Sequence, residues 1–183
     1  MKSLASRSIA VCMALIGFAV VVEEASAQQE FLMPGFDPAV WTLGHQTENQ
    51  NQRLMEFVPA GQKIDKWTEL LTVQTFRKPA IPPEIDGLAA ASHENLSKRC
   101  PDKMMWNVIQ RQMPTKTELA SILFEWSVKD CPPEADQHEV ARIIYGRFSI
   151  FRIAYVAKTQ ALAPEKREKW IKELSETKIV AGR

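Results

Sequence analysis

A chain of 183 residues, 45% hydrophobic and 25% charged, is sized for one domain around one core and leaves little room for two. Its formal net charge of +1 excludes a bulk electrostatic attraction to nucleic acid or to acidic membrane surfaces.

The first elements in chain order concern export. Lys2 and Arg7 precede an unbroken apolar run from Ile9 to Val22, shorter than the ~20 residues a membrane-crossing helix needs. Ala25-Ser26-Ala27 then supplies the small residues a signal peptidase requires. This pattern predicts a Sec-type signal peptide over residues 1–27, cleaved after Ala27, and a protein of the periplasm or the secreted fraction. The alternative is an anchor that stays attached, which the short span disfavours. Of the three cysteines, Cys12 lies inside the apolar run. Cys100 and Cys131 remain, and an even count in an oxidising compartment predicts a disulfide between them. Each is followed by proline, at Pro101 and Pro132, which places both where a regular element ends.

Residues 28–38, with Pro34-Gly35 and Asp37-Pro38, read as an extended lead-in, and 39–183 as a single domain. Two strands, Trp41 to Gln46 and Gln52 to Val58, flank a polar loop, and a third runs from Ile64 to Phe76. Pro82 and Pro83 open a helix reaching Arg99, with Ile85, Leu88, Ala89, Ser92 and Leu96 at helical spacing. Met104 to Arg111 is a strand. Glu118 to Lys129 follows with the clearest period of two: Ala120, Ile122, Phe124, Trp126 and Val128 share an apolar face. Asp136 to Lys158 reads as a hairpin turning at Gly146-Arg147, and Pro164 starts a final helix whose apolar stripe is Trp170, Ile171 and Leu174. The predicted class is therefore α+β: an antiparallel β-sheet meander with two helices packed on one face and one disulfide.

That element order is similar to small sheet-plus-helix folds of the PsbP type, a resemblance that bears on architecture only. A second resemblance is local. The stretch Glu56 to Phe76, EFVPAGQKIDKWTELLTVQTF, resembles a segment of uncharacterised exported proteobacterial proteins, in which a Val-Pro-x-Gly turn leads into a Trp-Thr-Glu strand. It implies export and carries no functional residues over.

The hairpin holds the densest set of chemistry-bearing side chains: His138, Glu139, Arg142, Tyr145, Arg152 and Tyr155. A two-residue turn at Gly146-Arg147 would pair Tyr145 with Phe148, Ile143 with Ile150 and Ala141 with Arg152. It would bring Glu139 within reach of Arg152 on one face and set His138 opposite Tyr155 on the other. One reading makes His138 a general base, with Glu139, Arg152 and Tyr155 as the rest of a catalytic set. The other makes these residues polar pairs within a core hairpin. No metal site is expected: His45, His93 and His138 sit on separate elements without ligand spacing, although Asp136 and Glu139 could supplement one of them. No G-x-S-x-G and no phosphate-cradling glycine cluster occurs. No cofactor is expected. The expected function is a non-enzymatic module of the cell envelope binding a small ligand or an envelope protein, with no nucleic acid partner and no stable membrane span after cleavage. The alternative is a small periplasmic enzyme using His138.

Overall fold

A computed structural model describes residues 29–182; the expected signal peptide and its cleavage site lie outside the described residues. The class is α+β. Seven antiparallel strands form one sheet in the order β2-β3-β4-β8-β7-β6-β5, where β2 is Trp41–Glu48, β3 Gln52–Pro59, β4 Glu69–Arg77, β5 Met104–Gln112, β6 Ser121–Val128, β7 Gln137–Tyr145 and β8 Ser149–Ala157. The sheet is two meanders, β2-β3-β4 and β5-β6-β7-β8, joined along the β4–β8 seam. Helix α1 (Ile85–Arg99) carries the chain from β4 to the far edge strand β5, and α2 (Pro164–Glu176) follows β8. Short loops make antiparallel neighbours inside each meander; only the helical crossover is long enough to skip strands.

The helices do not share a face, contrary to the sequence expectation. Alternate residues of a strand point to opposite sides of the sheet. On β6, Ile122, Phe124, Trp126 and Val128 pack in one cluster with Ala89 and Leu96 of α1. Leu123, on the other side, packs with Trp170 and Leu174 of α2. The central strands β7 and β8 are consequently covered on both sides, so their polar residues are buried or half-buried. Burial of Leu174, fully enclosed under the sheet, is worth about 1.5–3 kcal/mol.

Cys100 and Cys131 form the expected disulfide, with Cα atoms 5.7 Å apart and a sequence separation of 31. It ties the C-terminus of α1 to the loop after β6 and stabilises the fold by about 3–4 kcal/mol, chiefly by restricting the unfolded chain.

The N-terminal segment is more than a lead-in. Strand β1 (Glu30–Met33) pairs antiparallel with a C-terminal strand, β9 (Lys178–Ala181), in register from Glu30↔Ala181 to Met33↔Lys178. The sequence reading contained no strand after α2, because four residues are too few to show a period. Further along, the Gly35 N–H donates to Thr177 Oγ1 (3.1 Å), and Phe36 tilts against Trp170 with ring centroids 5.9 Å apart. Residues 29–41 thus form an arm across the α2 side of the sheet. Its end is fixed by Glu30, whose carboxylate accepts the N–H groups of Arg147 (2.7 Å), Phe148 (2.8 Å) and Ser149 (3.0 Å). Convergent backbone amides of this kind form a nest for an anion, and here the anion comes from the chain itself.

Candidate functional site

The turn between β7 and β8 displaces the expected hairpin register. Tyr145 pairs with Ile150, Ile143 with Arg152 and Ala141 with Ala154, so each β7 residue meets a partner two positions further along β8 than a two-residue turn would give. Gly146 does not adopt positive φ; among the described residues Gly61 is the glycine that does, at φ 88°. A Cβ at 146 would meet the Glu30 carboxylate, the end of a flexible side chain, and push it from its place against the turn. A shift of two keeps every side chain on its face, and Glu139 still reaches Arg152 in an ion pair. The intervening pair, Ala141 and Ala154, is small enough to leave room for the long arginine. Glu139 also accepts from Trp126 Nε1 (2.9 Å) on β6. This cluster lies on the α1 side.

His138 lies on the other side and does not meet Tyr155. It stands opposite Ala157, while Tyr155 stands opposite Val140. His138 Nε2 is 3.3 Å from Glu125 Oε2, and the Leu162 N–H approaches Nδ1 at 3.4 Å. The ring is therefore held with Nε2–H donating to the carboxylate and Nδ1 accepting from the backbone. Burial pushes the His138 pKa below its ordinary value, against the opposing pull of Glu125. Both ring nitrogens are engaged.

The residue at the centre of this cluster, Glu125, stands on the side of β6 opposite the apolar face read from the sequence. It is buried, receives a fork from Arg167 of α2 (Nε to Oε2 2.7 Å, Nη2 to Oε1 2.6 Å), and accepts from Asn107 Nδ2 (3.0 Å). Burial acts to raise its pKa, but the bonds from Arg167, Asn107 and His138 prevail and lower it to about 2. The alternation of Glu125 with Phe124 and Trp126 gave no sign that a helix covers the polar side. Arg167, at helical spacing on a charged stretch, was equally silent.

The other named residues serve the scaffold. Arg142 donates to the carbonyls of Leu174 (2.8 Å), Ser175 (2.7 Å) and Thr177 (2.9 Å), capping the C-terminus of α2, and to Ser121 Oγ (3.0 Å). Tyr145 donates to the Pro83 carbonyl (2.5 Å) at the entry to α1. Tyr155 stacks on Trp170 at 4.1 Å and 13°, its hydroxyl buried without a hydrogen-bond partner among the described residues; burial, with Glu69 nearby, pushes its pKa well up. Asp136 accepts from the Asp130 N–H (2.8 Å) and Gln160 Nε2 (2.7 Å), closing two loops on each other. His45 is on β2, and exposed His93 packs edge-on to Trp106. No group of three or more His, Cys, Asp or Glu among the described residues is placed to hold a metal ion.

An open site lies elsewhere on the α2 side. Helix α2 packs mainly on β6, β7 and β8. Beyond it, a cavity of about 430 Å³ lies between the N-terminal arm and the sheet. Its floor is Met55 and Phe57 of β3, Leu71 and Val73 of β4, and Phe151 and Ile153 of β8, all on one side by their register. The arm supplies a wall through Phe31, Leu32, Phe36 and Trp41. At one end the lining turns polar, with Glu48, Asn49, Asn51, Arg53 and Arg77. The volume falls within the ~300–1,000 Å³ of small-molecule sites, and an apolar floor with a few polar groups at one end is their usual composition. None of the hairpin residues singled out from the sequence lines it.

Neither a protein-family model nor a curated protein matches the chain. Among solved structures, it is similar to the cyanobacterial PsbP (CyanoP) from Synechocystis sp. PCC 6803, with a TM-score of 0.43 and 10% identity over 74% of this chain and 92% of that one. It is also similar to a protein of unknown function, PA94, from Pseudomonas aeruginosa, with a TM-score of 0.40 and 12% identity over 78% of this chain and 97% of that one. Likeness at this level does not bear on activity. No helix among the described residues is long and apolar enough to cross a membrane.

Proposed function

We propose that this chain is an exported, non-enzymatic binding module of the cell envelope, acting in the periplasm or outside the cell, and that its site is the cavity between the N-terminal arm and strands β3, β4 and β8. The observation that carries this reading is the cavity of about 430 Å³ left between the arm and an apolar stretch of the sheet face that α2 fills elsewhere. Small apolar or amphipathic molecules fit its lining. The Cys100–Cys131 disulfide supports an oxidising compartment, as do the signal-like N-terminus and the resemblance of Glu56–Phe76 to exported proteobacterial proteins. The engagement of both His138 ring nitrogens supports a structural role for that residue over a catalytic one.

Binding of the neutral dye N-phenylnaphthylamine to the mature chain tests this reading by fluorescence. The wild type is expected to bind and saturate at one site. Met55→Trp, which places an indole on the cavity floor, is expected to lose at least about tenfold in affinity, since a filled cavity leaves the dye no space. Its melting temperature is expected to stay within a few degrees. Absence of dye binding to the wild type, or equal binding to both proteins, would refute the assignment.

A further inference from the structure

We propose that the ligand of this cavity is a single-chain amphipathic carboxylate, lying with its chain on the apolar floor and its head group between Arg53 and Arg77; this rests on the binding-module reading above. The two arginines share the side of the sheet that carries the floor. Arg53 pairs with Thr75, and Arg77 follows two residues later on the same strand, so their side chains are diagonal neighbours at one end of the cavity.

Their donors are largely unused. Arg53 Nε is buried without a hydrogen-bond partner among the described residues, 3.8 Å from Glu48 Oε2, and Nη2 reaches Gln46 Oε1 only at 3.5 Å. Arg77 bonds through its backbone N–H to the Asn51 carbonyl (2.8 Å), and its guanidinium has no partner among the described residues. Glu48 forms a loose ion pair with Arg53 at 3.8 Å without a hydrogen bond, and the Glu30 carboxylate is held by three turn amides, so exposed Arg77, which has no ion pair among the described residues, carries the uncompensated charge at this end.

The cavity therefore joins an apolar floor to two guanidinium groups with open donors. A buried donor left unpaired is costly, so a ligand without an acceptor at this end would bind below the potential of the site. A carboxylate offers two oxygens in the plane that a guanidinium fork matches, together with a charge of the required sign. A cationic head group would meet repulsion at the same place.

Isothermal titration of the mature chain with dodecanoate, dodecanol and dodecyltrimethylammonium, each below its micelle concentration, tests the head-group assignment. Dodecanoate is expected to bind at least about tenfold more tightly than dodecanol, with the ammonium compound weakest. In the Arg53→Gln/Arg77→Gln double variant, the gap between dodecanoate and dodecanol is expected to close. Equal affinity of dodecanoate and dodecanol for the wild type, both abolished by Met55→Trp, overturns the head-group assignment and leaves the cavity reading standing. Preference for the ammonium compound, or a double variant that keeps the dodecanoate advantage, also overturns it. Failure of all three to bind removes both proposals.

Discussion

Under α2, the sheet is closed: Trp170 stacks on Tyr155, Leu174 is fully buried, and Glu125 has its carboxylate shared among Arg167, Asn107 and His138. A few strands away on the same side, Met55, Leu71, Val73 and Ile153 line the cavity under the N-terminal arm. The two regions invert what their residues suggest. The one richer in titratable groups has most of its donors and acceptors spent on each other and on helix ends. The one made of plain aliphatic and aromatic residues is where a ligand has room. Crowded polar side chains in a sequence mark a site only if something is left over for a substrate, and here little is.

If the closed half is structural, its variants should lose stability, and the open half should be separable from it. The largest effect is expected from Trp170→Ala, which removes the ring stacked on Tyr155 and should cost about 4 kcal/mol by urea denaturation. Arg167→Ala, which leaves the buried Glu125 carboxylate without its main partner, should cost about 3 kcal/mol, with dye binding in the cavity retained at denaturant-free equilibrium.

Acidification should act next. Glu125 titrates at about 2 in the fold against an ordinary 4.5, so the unfolded chain takes up the proton first as pH falls. The stabilisation is complete above about pH 4.5 and fades toward pH 2, by about 2–3 kcal/mol. His138, also held below its ordinary value of 6.5, loses stability in the same direction below that pH. Denaturation midpoints measured across this range should fall with acid, and Glu125→Gln should flatten the lower part of the curve. The smallest effect is expected from Glu30→Gln, which weakens the three bonds to the β7–β8 turn: about 1 kcal/mol of stability, but a change in dye affinity, because Glu30 is part of the arm that walls the cavity. An unchanged dye affinity there would show that the arm holds its place without this latch.

Much of the scaffold was legible from the chain alone. Period-two alternation located β6, Pro164 located α2, and two cysteines in a chain read as exported paired as expected. The Glu139–Arg152 ion pair survived a register shift because a displacement of two preserves the face. What was hidden depends on segments distant in sequence. His138 and Glu125 meet only because β6 and β7 are paired under a helix that arrives later. The carboxylate packed against Gly146 comes from Glu30, far away in the chain. Burial on both sides of β6 reads as one-sided when no local signal announces α2. The cavity draws on the arm, the β2–β3 hairpin, β4 and β8 together, and no window of sequence contains it.

The β1–β9 ribbon has a consequence for the order of assembly. Glu30 pairs with Ala181, and the Gly182 N–H reaches the Gln29 carbonyl at 2.6 Å, so these are contacts between the two extremes of the described chain. Such contacts close the longest loop and are expected to form late. A chain emerging from its N-terminus must hold Phe31 and Leu32 in waiting until Ile179 and Val180 arrive. In pulse-labelled refolding, amides of residues 31–33 and 178–181 should gain protection after those of β6–β8. The cavity would then be roofed last, over a floor already set.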